Sequence, residues 1–361
     1  MALIIHIFVL MRSIISIIVA VLSLLFCLSC SRGVNSDHNA TSDINSKYFK
    51  VEKHSGSTVI FSVSPFDSSV DSLVLYKPVS RMVCMSSSYV AYLSSIGCDS
   101  TIVAVSGKKY ISDPAISNVP DIGYDTSIDY EKILALKPDV VLAYTVSSVV
   151  PKYITTLRSL GVKVFILYEQ LEDHPLARAE YVKLFGTLTG RESKSDSVYA
   201  KVSESYLSLA GKVKAARLET KKVLINIPYS DQWYIPGGDN YMSLLVHDAG
   251  GEILGSVDGA RESSIISLEK AYSLSKKADY WINVGWCRGL DQLKSVQPLF
   301  SDFPIDSGHI YNNTRRVTSG GGNDFWESGA VRADLILSDL VKIFHPEVSN
   351  SDSLYYYFKL Q

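Results

Sequence analysis

Short apolar runs alternate with helix-length amphipathic segments on both sides of one long charged stretch, and that pattern leaves few folds open to this chain. The runs are Ile102-Val-Ala-Val105, Val140-Val-Leu-Ala143 and Val164-Phe-Ile-Leu167 in the first half, then Val223-Leu-Ile-Asn-Ile227 and Tyr280-Trp-Ile-Asn-Val284 in the second. Such alternation builds βαβ units, because a parallel strand pair needs a connection long enough to hold a helix. Between about Pro175 and Arg217 the strand signal stops, and a charged, helix-favouring segment takes over, interrupted by Gly186 and Gly190 and strongest over Ser193 to Arg217. A closing helix from Val331 to Phe344 stops before Pro346, a residue that cannot continue it. Ahead of all this, Tyr48 to Tyr76 alternates apolar and polar residues, broken by His54-Ser55-Gly56 and by Pro65, as a β-meander does.

The two halves repeat one another. Tyr89 to Gly97 precedes a strand as Tyr241 to Gly250 does, and Asp129-Tyr-Glu131-Lys-Ile-Leu parallels Ser267-Leu-Glu269-Lys-Ala-Tyr. The expected fold class is therefore α/β, two Rossmann-like lobes joined by a long rigid α-helix and preceded by a short β-meander. In residues, the expected N-terminal lobe with its meander is 47–178, the connecting helix 179–218, the C-terminal lobe 219–346 and a tail 347–361.

The first 30 residues read as an address. Ser13 to Ser29 is uncharged and follows Arg12, the pattern of a secretory signal, with Met11 the expected true start. The segment ends Leu28-Ser29-Cys30, which resembles the lipobox of bacterial lipoproteins and implies lipid attachment at Cys30, with Cys27 departing from the usual Leu. An uncleaved membrane anchor is the alternative, the run being close to the roughly 18 apolar residues that can span a bilayer. Either way the body lies outside the cytoplasm, in the periplasm, held off the membrane by a polar tether over 31–46.

Composition narrows the function. Lys and Arg (35) are balanced by Asp and Glu (37) without long runs of one sign, which argues against a nucleic-acid partner. The chain has no G-x-S-x-G elbow, no phosphate-binding G-x-x-x-x-G-K-[ST] loop and no G-x-G-x-x-G after a strand. The expectation is a binding protein, not an enzyme, with no cofactor of its own. Cys84, Cys98 and Cys287 remain for the body, as one Cys84–Cys98 bridge or as three buried thiols.

The phrase Ile128-Asp-Tyr-Glu131-Lys-Ile-Leu-Ala-Leu-Lys-Pro-Asp139-Val-Val-Leu-Ala resembles the signature of periplasmic substrate-binding proteins for iron-siderophore complexes, haem and cobalamin, the helix-backbone class. Gly97 ahead of Ile102-Val-Ala-Val-Ser106, Leu160-Gly-Val-Lys-Val164 and Asp248-Ala-Gly-Gly251 support it, from about Arg81 to Pro346. The resemblance implies a monomeric protein that hands a small-molecule ligand to the membrane subunits of an ABC importer, docking through Glu131 and Glu269. Both glutamates also suit their predicted helix N-termini, behind the N-caps Asp129 and Ser267, without any partner.

Ligands of open α/β sheets bind beyond the carboxyl ends of strands, and the loops expected there are rich in aromatics. Expected ligand-binding residues are Tyr110, Tyr124, Trp233, Tyr234 and Trp286, with Arg261 for a ligand carboxylate or catecholate, and Asp324 and Trp326 in the Gly320-Gly-Gly-Asn loop. A bare transition metal ion is the alternative ligand, although His174, His247, His309 and His345 do not fall at converging strand ends. An importer-independent protein that stores or strips the ligand is the alternative function.

Overall fold

The computed structural model describes residues 46–124, 126–349 and 353–361. The signal segment, the tether and Cys30 lie outside them. Strands β1 (Phe49–His54), β2 (Ser57–Val63) and β3 (Val70–Leu75) form the antiparallel meander, with Ile60, Leu73 and Leu75 turned into the core. Its entry is pinned by two carboxylates. Glu172 accepts Ser46 Oγ (2.5 Å) and the Lys47 and Tyr48 amides (2.9 and 3.2 Å), and Glu180 accepts the Ser46 amide at 2.7 Å.

The N-terminal lobe contains β4 (Met82–Cys84), α1 (Ser87–Ser95), β5 (Ile102–Val105), α2 (Tyr130–Leu136), β6 (Val140–Tyr144), α3 (Lys152–Ser159) and β7 (Val164–Leu167). The strands are parallel, in the order β5-β4-β6-β7. They are nearly continuous apolar runs because the sheet is covered on both faces, and each fully buried Val or Leu contributes about 1.5–3 kcal/mol.

Three helices then follow: α4 (Pro175–Ala179), α5 (Tyr181–Thr189) and α6 (Glu192–Ala216). The single connecting helix expected over 179–218 is thus broken. Gly190 takes φ +67 as the cap of α5, and the chain turns there before α6 begins. The rod proper is α6, whose 25 residues span about 38 Å.

The C-terminal lobe contains β8 (Lys221–Ile225), β9 (Trp233–Ile235), α7 (Tyr241–Asp248), β10 (Gly251–Ile253), β11 (Ser264–Ile266), α8 (Leu268–Ser275), β12 (Tyr280–Ile282), α9 (Leu290–Val296), β13 (Ile310–Asn312), α10 (Ala333–Phe344) and β14 (Phe358–Lys359). Its parallel strands run β10-β8-β12-β13, the same order as in the first lobe, so the sequence repeat is a repeat of topology. The expected tail is part of this lobe. The buried Asp339 carboxylate accepts the amides of Tyr355, Tyr356 and Tyr357 (2.8, 2.6 and 2.9 Å), and β14 adds antiparallel to β13.

Cys84, Cys98 and Cys287 are free and buried, so the Cys84–Cys98 bridge does not form. Burial pushes the Cys84 and Cys287 thiols up, away from the reactive thiolate. Among the described residues no helix is long and apolar enough to cross a membrane.

Candidate functional site

Loops at the carboxyl ends of the two sheets touch one another. The loop after β5 touches the loop after β13, where Thr318 Oγ1 donates to the Lys109 carbonyl (2.7 Å) and Glu327 accepts the Ser112 and Asp113 amides (2.7 and 2.9 Å). The glycines of this strap are required by the close approach: a Cβ at Gly322 would overlap the Tyr110 carbonyl, and one at Gly320 the Lys109 carbonyl. On another side Asp173, after β7, pairs with Arg261 of the C-terminal lobe at 3.1 Å.

Glu327 makes the strap sensitive to pH. Burial pushes its carboxyl up to about 7, the two amide bonds pull the other way, and Asp324 and Asp113 add to the rise. A carboxyl raised above its ordinary 4.5 binds its proton more tightly when folded, so its contribution to stability is complete below pH 4.5 and lost as pH climbs to about 7. Glu327→Gln stays neutral throughout. In thermal unfolding across pH 4–8, wild type should therefore lose up to roughly 3 kcal/mol relative to the variant; parallel profiles would contradict this.

On the C-terminal wall, a cavity of 590 Å³ is lined by Asn226, Tyr229, Tyr234, Asn283, Trp286 and Gln292, among others. That volume suits a small-molecule site. Tyr229, Tyr234 and Trp286 are 77%, 37% and 63% exposed, an open aromatic surface in which the Tyr234 hydroxyl donates to the Gln232 side chain. Tyr110 is exposed in the loop after β5, its ring edge-on to Tyr124 at 5.5 Å, and among the described residues the buried Tyr124 hydroxyl has no hydrogen-bond partner. Trp326 stands half-exposed on the strap, against Phe325.

Three expected ligand residues are engaged elsewhere. Trp233 is 1% exposed and stacks on Trp281 and Phe303, its indole N–H donating to the Ile225 carbonyl at 2.9 Å. It lies on β9, not in a loop, and strand alternation turns it inward while sending Tyr234 outward. Arg261 is held by Asp173, which Lys47 also contacts at 2.8 Å. Asp324 is buried against Arg316 (2.5 Å) in a separate polar cavity beside α6.

Residues missed from the sequence are Asn226, Asn283, Tyr229 and Gln292. Asn226 and Asn283 follow the last residues of β8 and β12, where the strand order reverses, and hold φ of 67 and 60. An Asn in the next-to-last place of each apolar run, where β-branched residues would be strained, was the available signal. Among the described residues no three His, Cys, Asp or Glu converge as metal ligands.

Glu131 and Glu269 sit in the first turns of α2 and α8, both exposed. The predicted caps form: Asp129 accepts the Lys132 amide (2.9 Å) and Ser267 Oγ the Lys270 amide (3.2 Å). Bonding to Ser267 holds the Glu269 carboxyl below its usual range. Each helix runs into the amino end of its strand through a short link, so its N-terminus points back to the crevice edge of the sheet, one carboxylate per lobe.

A family model described as periplasmic binding protein matches residues 82–312. An uncharacterized lipoprotein of Methanocaldococcus jannaschii is 25% identical over 303 residues, covering 79% of this chain and 70% of that protein. An uncharacterized ABC transporter substrate-binding lipoprotein of Bacillus subtilis is 23% identical, over 55% of this chain and 62% of its own length. A solved periplasmic haem-binding protein from Pseudomonas aeruginosa is 18% identical and superposes with a TM-score of 0.61 over 78% of this chain and 98% of its own.

Proposed function

Since the chain belongs to the periplasmic binding protein family, a family of solute binders with a two-lobe α/β fold, we propose that it is the capture component of an ABC importer. Its ligand is an iron-siderophore complex, haem or cobalamin, taken up in the crevice and delivered to the membrane subunits. The observation that carries this reading is the exposed aromatic wall of Tyr229, Tyr234 and Trp286 at the carboxyl ends of β8 and β12. Large aromatic faces give broad contact at low entropic cost, which suits a bulky, partly planar ligand. The family and fold are those of binding proteins, and the chemistry of transport belongs to the importer.

In this reading Glu131 and Glu269 are the paired docking contacts, because the repeat sets one exposed carboxylate at the same place on each lobe. In the same reading the body lies in the periplasm, held to a membrane by a lipid at Cys30 beyond the signal segment and tether. The double variant Glu131→Ala/Glu269→Ala should lower ligand uptake in cells by about tenfold while leaving ligand affinity in vitro unchanged, since each lost contact is worth on the order of 1 kcal/mol or more. Unchanged uptake would remove the docking role, and an importer-independent storage protein would then be the better description.

A further inference from the structure

The cavity on the C-terminal wall carries a polarity pattern of its own. Asn226 and Asn283 close neighbouring strands, and their backbone amides are bonded across the sheet. The Asn226 amide donates to the Ile282 carbonyl (3.0 Å), its carbonyl accepts the Trp281 indole N–H (2.7 Å), and the Asn283 amide donates to the Tyr311 carbonyl (3.1 Å). The side chains are half used. Asn226 Nδ2 donates to the Tyr234 carbonyl at 2.9 Å, which leaves its Oδ1 as an acceptor. Asn283 Oδ1 accepts the Tyr357 hydroxyl at 2.9 Å, which leaves its Nδ2 as a donor. Gln292 repeats the second case, its Oε1 accepting the Arg288 amide at 2.7 Å.

The lining of this cavity includes no Asp, Glu, Lys, Arg or His. The cation nearest in expectation, Arg261, is neutralised by Asp173. An ionised carboxylate or catecholate lowered onto this wall would lose part of its water and find no counter-charge in the lining, the exposed Lys109 lying over Tyr110 on the other lobe. A carboxamide carries one acceptor and one donor group, the complement of what Asn226 and Asn283 leave unused.

We propose that Asn226 and Asn283 are specificity residues that read uncharged carboxamide groups on the ligand, so that the crevice prefers a neutral, amide-bearing ligand to a polyanionic one. This inference rests on the crevice being the capture site. Both side chains are preset, since each is anchored through one end and held on a backbone conformation that Asn tolerates and β-branched residues do not.

The test is a fluorescence titration of the full protein with three probes: cyanocobalamin, which is neutral and rich in carboxamides; haem, with two carboxylates; and a ferric tris-catecholate, a trianion. Cyanocobalamin should bind at least tenfold tighter than either anion. Asn226→Gly/Asn283→Gly keeps the backbone conformation but strips the buried Tyr357 hydroxyl of its acceptor, so Tm should fall by a few degrees, and the variant, assayed where it is still folded, should bind cyanocobalamin threefold or more weakly. Tighter binding of haem or the catecholate, or a smaller loss in the double variant, overturns the proposal. If an anion binds best and Trp286→Ala weakens it, only the specificity claim falls; if none of the three probes binds, the crevice as capture site falls with it.

Discussion

Replacing the buried Arg178 by Ala should cost about 3–5 kcal/mol of unfolding free energy. Arg178 lies on α4, at the junction of the lobes, and its side chain is 7% exposed. Its Nε donates to the Glu169 carboxylate at 2.6 Å, and Glu169, 2% exposed, also accepts Ser88 Oγ at 2.6 Å. The guanidinium packs over the Tyr241 ring at 5.4 Å, and the Arg178 carbonyl accepts the Tyr92 hydroxyl at 2.7 Å. One residue thereby ties α1, the loop after β7 and α7 of the second lobe. Removing it leaves a buried anion with the Ser88 hydroxyl but no counter-charge, which costs far more than the pair contributes. Glu169→Gln in the same chain should restore much of the loss, because the stranded charge is gone. Denaturant unfolding of the three variants checks this; a loss under about 1 kcal/mol in Arg178→Ala would mean that water reaches Glu169.

Much of the scaffold was legible before any coordinates. The apolar runs of β6 and β7 could only be strands buried on both faces, and Asp129 and Ser267 had to cap helices because their side chains suit the first turn's free amides. The repeat then implied equal topology, and both sheets have it. Less legible was where an aromatic or a charge would point. Trp233 and Trp286 both follow apolar runs, yet one is enclosed by Trp281, Phe300 and Phe303 and the other lines the open cavity of the C-terminal lobe, a difference made by partners distant in sequence. Arg261 and Asp324 looked available for a ligand because their partners, Asp173 and Arg316, carry no local signal of pairing. The strand β14 is two residues long and has no periodicity to read; Asp339 sets its position.

The second large effect concerns Trp286. It is 63% exposed, flanks Asn283 and Cys287 at the end of β12, and shares its cavity with Tyr229 and Tyr234. A ligand seated there would cover the indole face, and truncating such an aromatic anchor typically costs about 2–3 kcal/mol of binding, or roughly 30- to 150-fold in Kd. Stability should hardly change, since the ring has few neighbours to lose. Calorimetric titration of wild type and Trp286→Ala with the tightest-binding of an iron chelate, haem and cobalamin measures this directly. The expected result is one saturable site in wild type and at least a thirtyfold weaker one in the variant at equal Tm; equal affinity in both proteins would mean that the crevice does not hold the ligand.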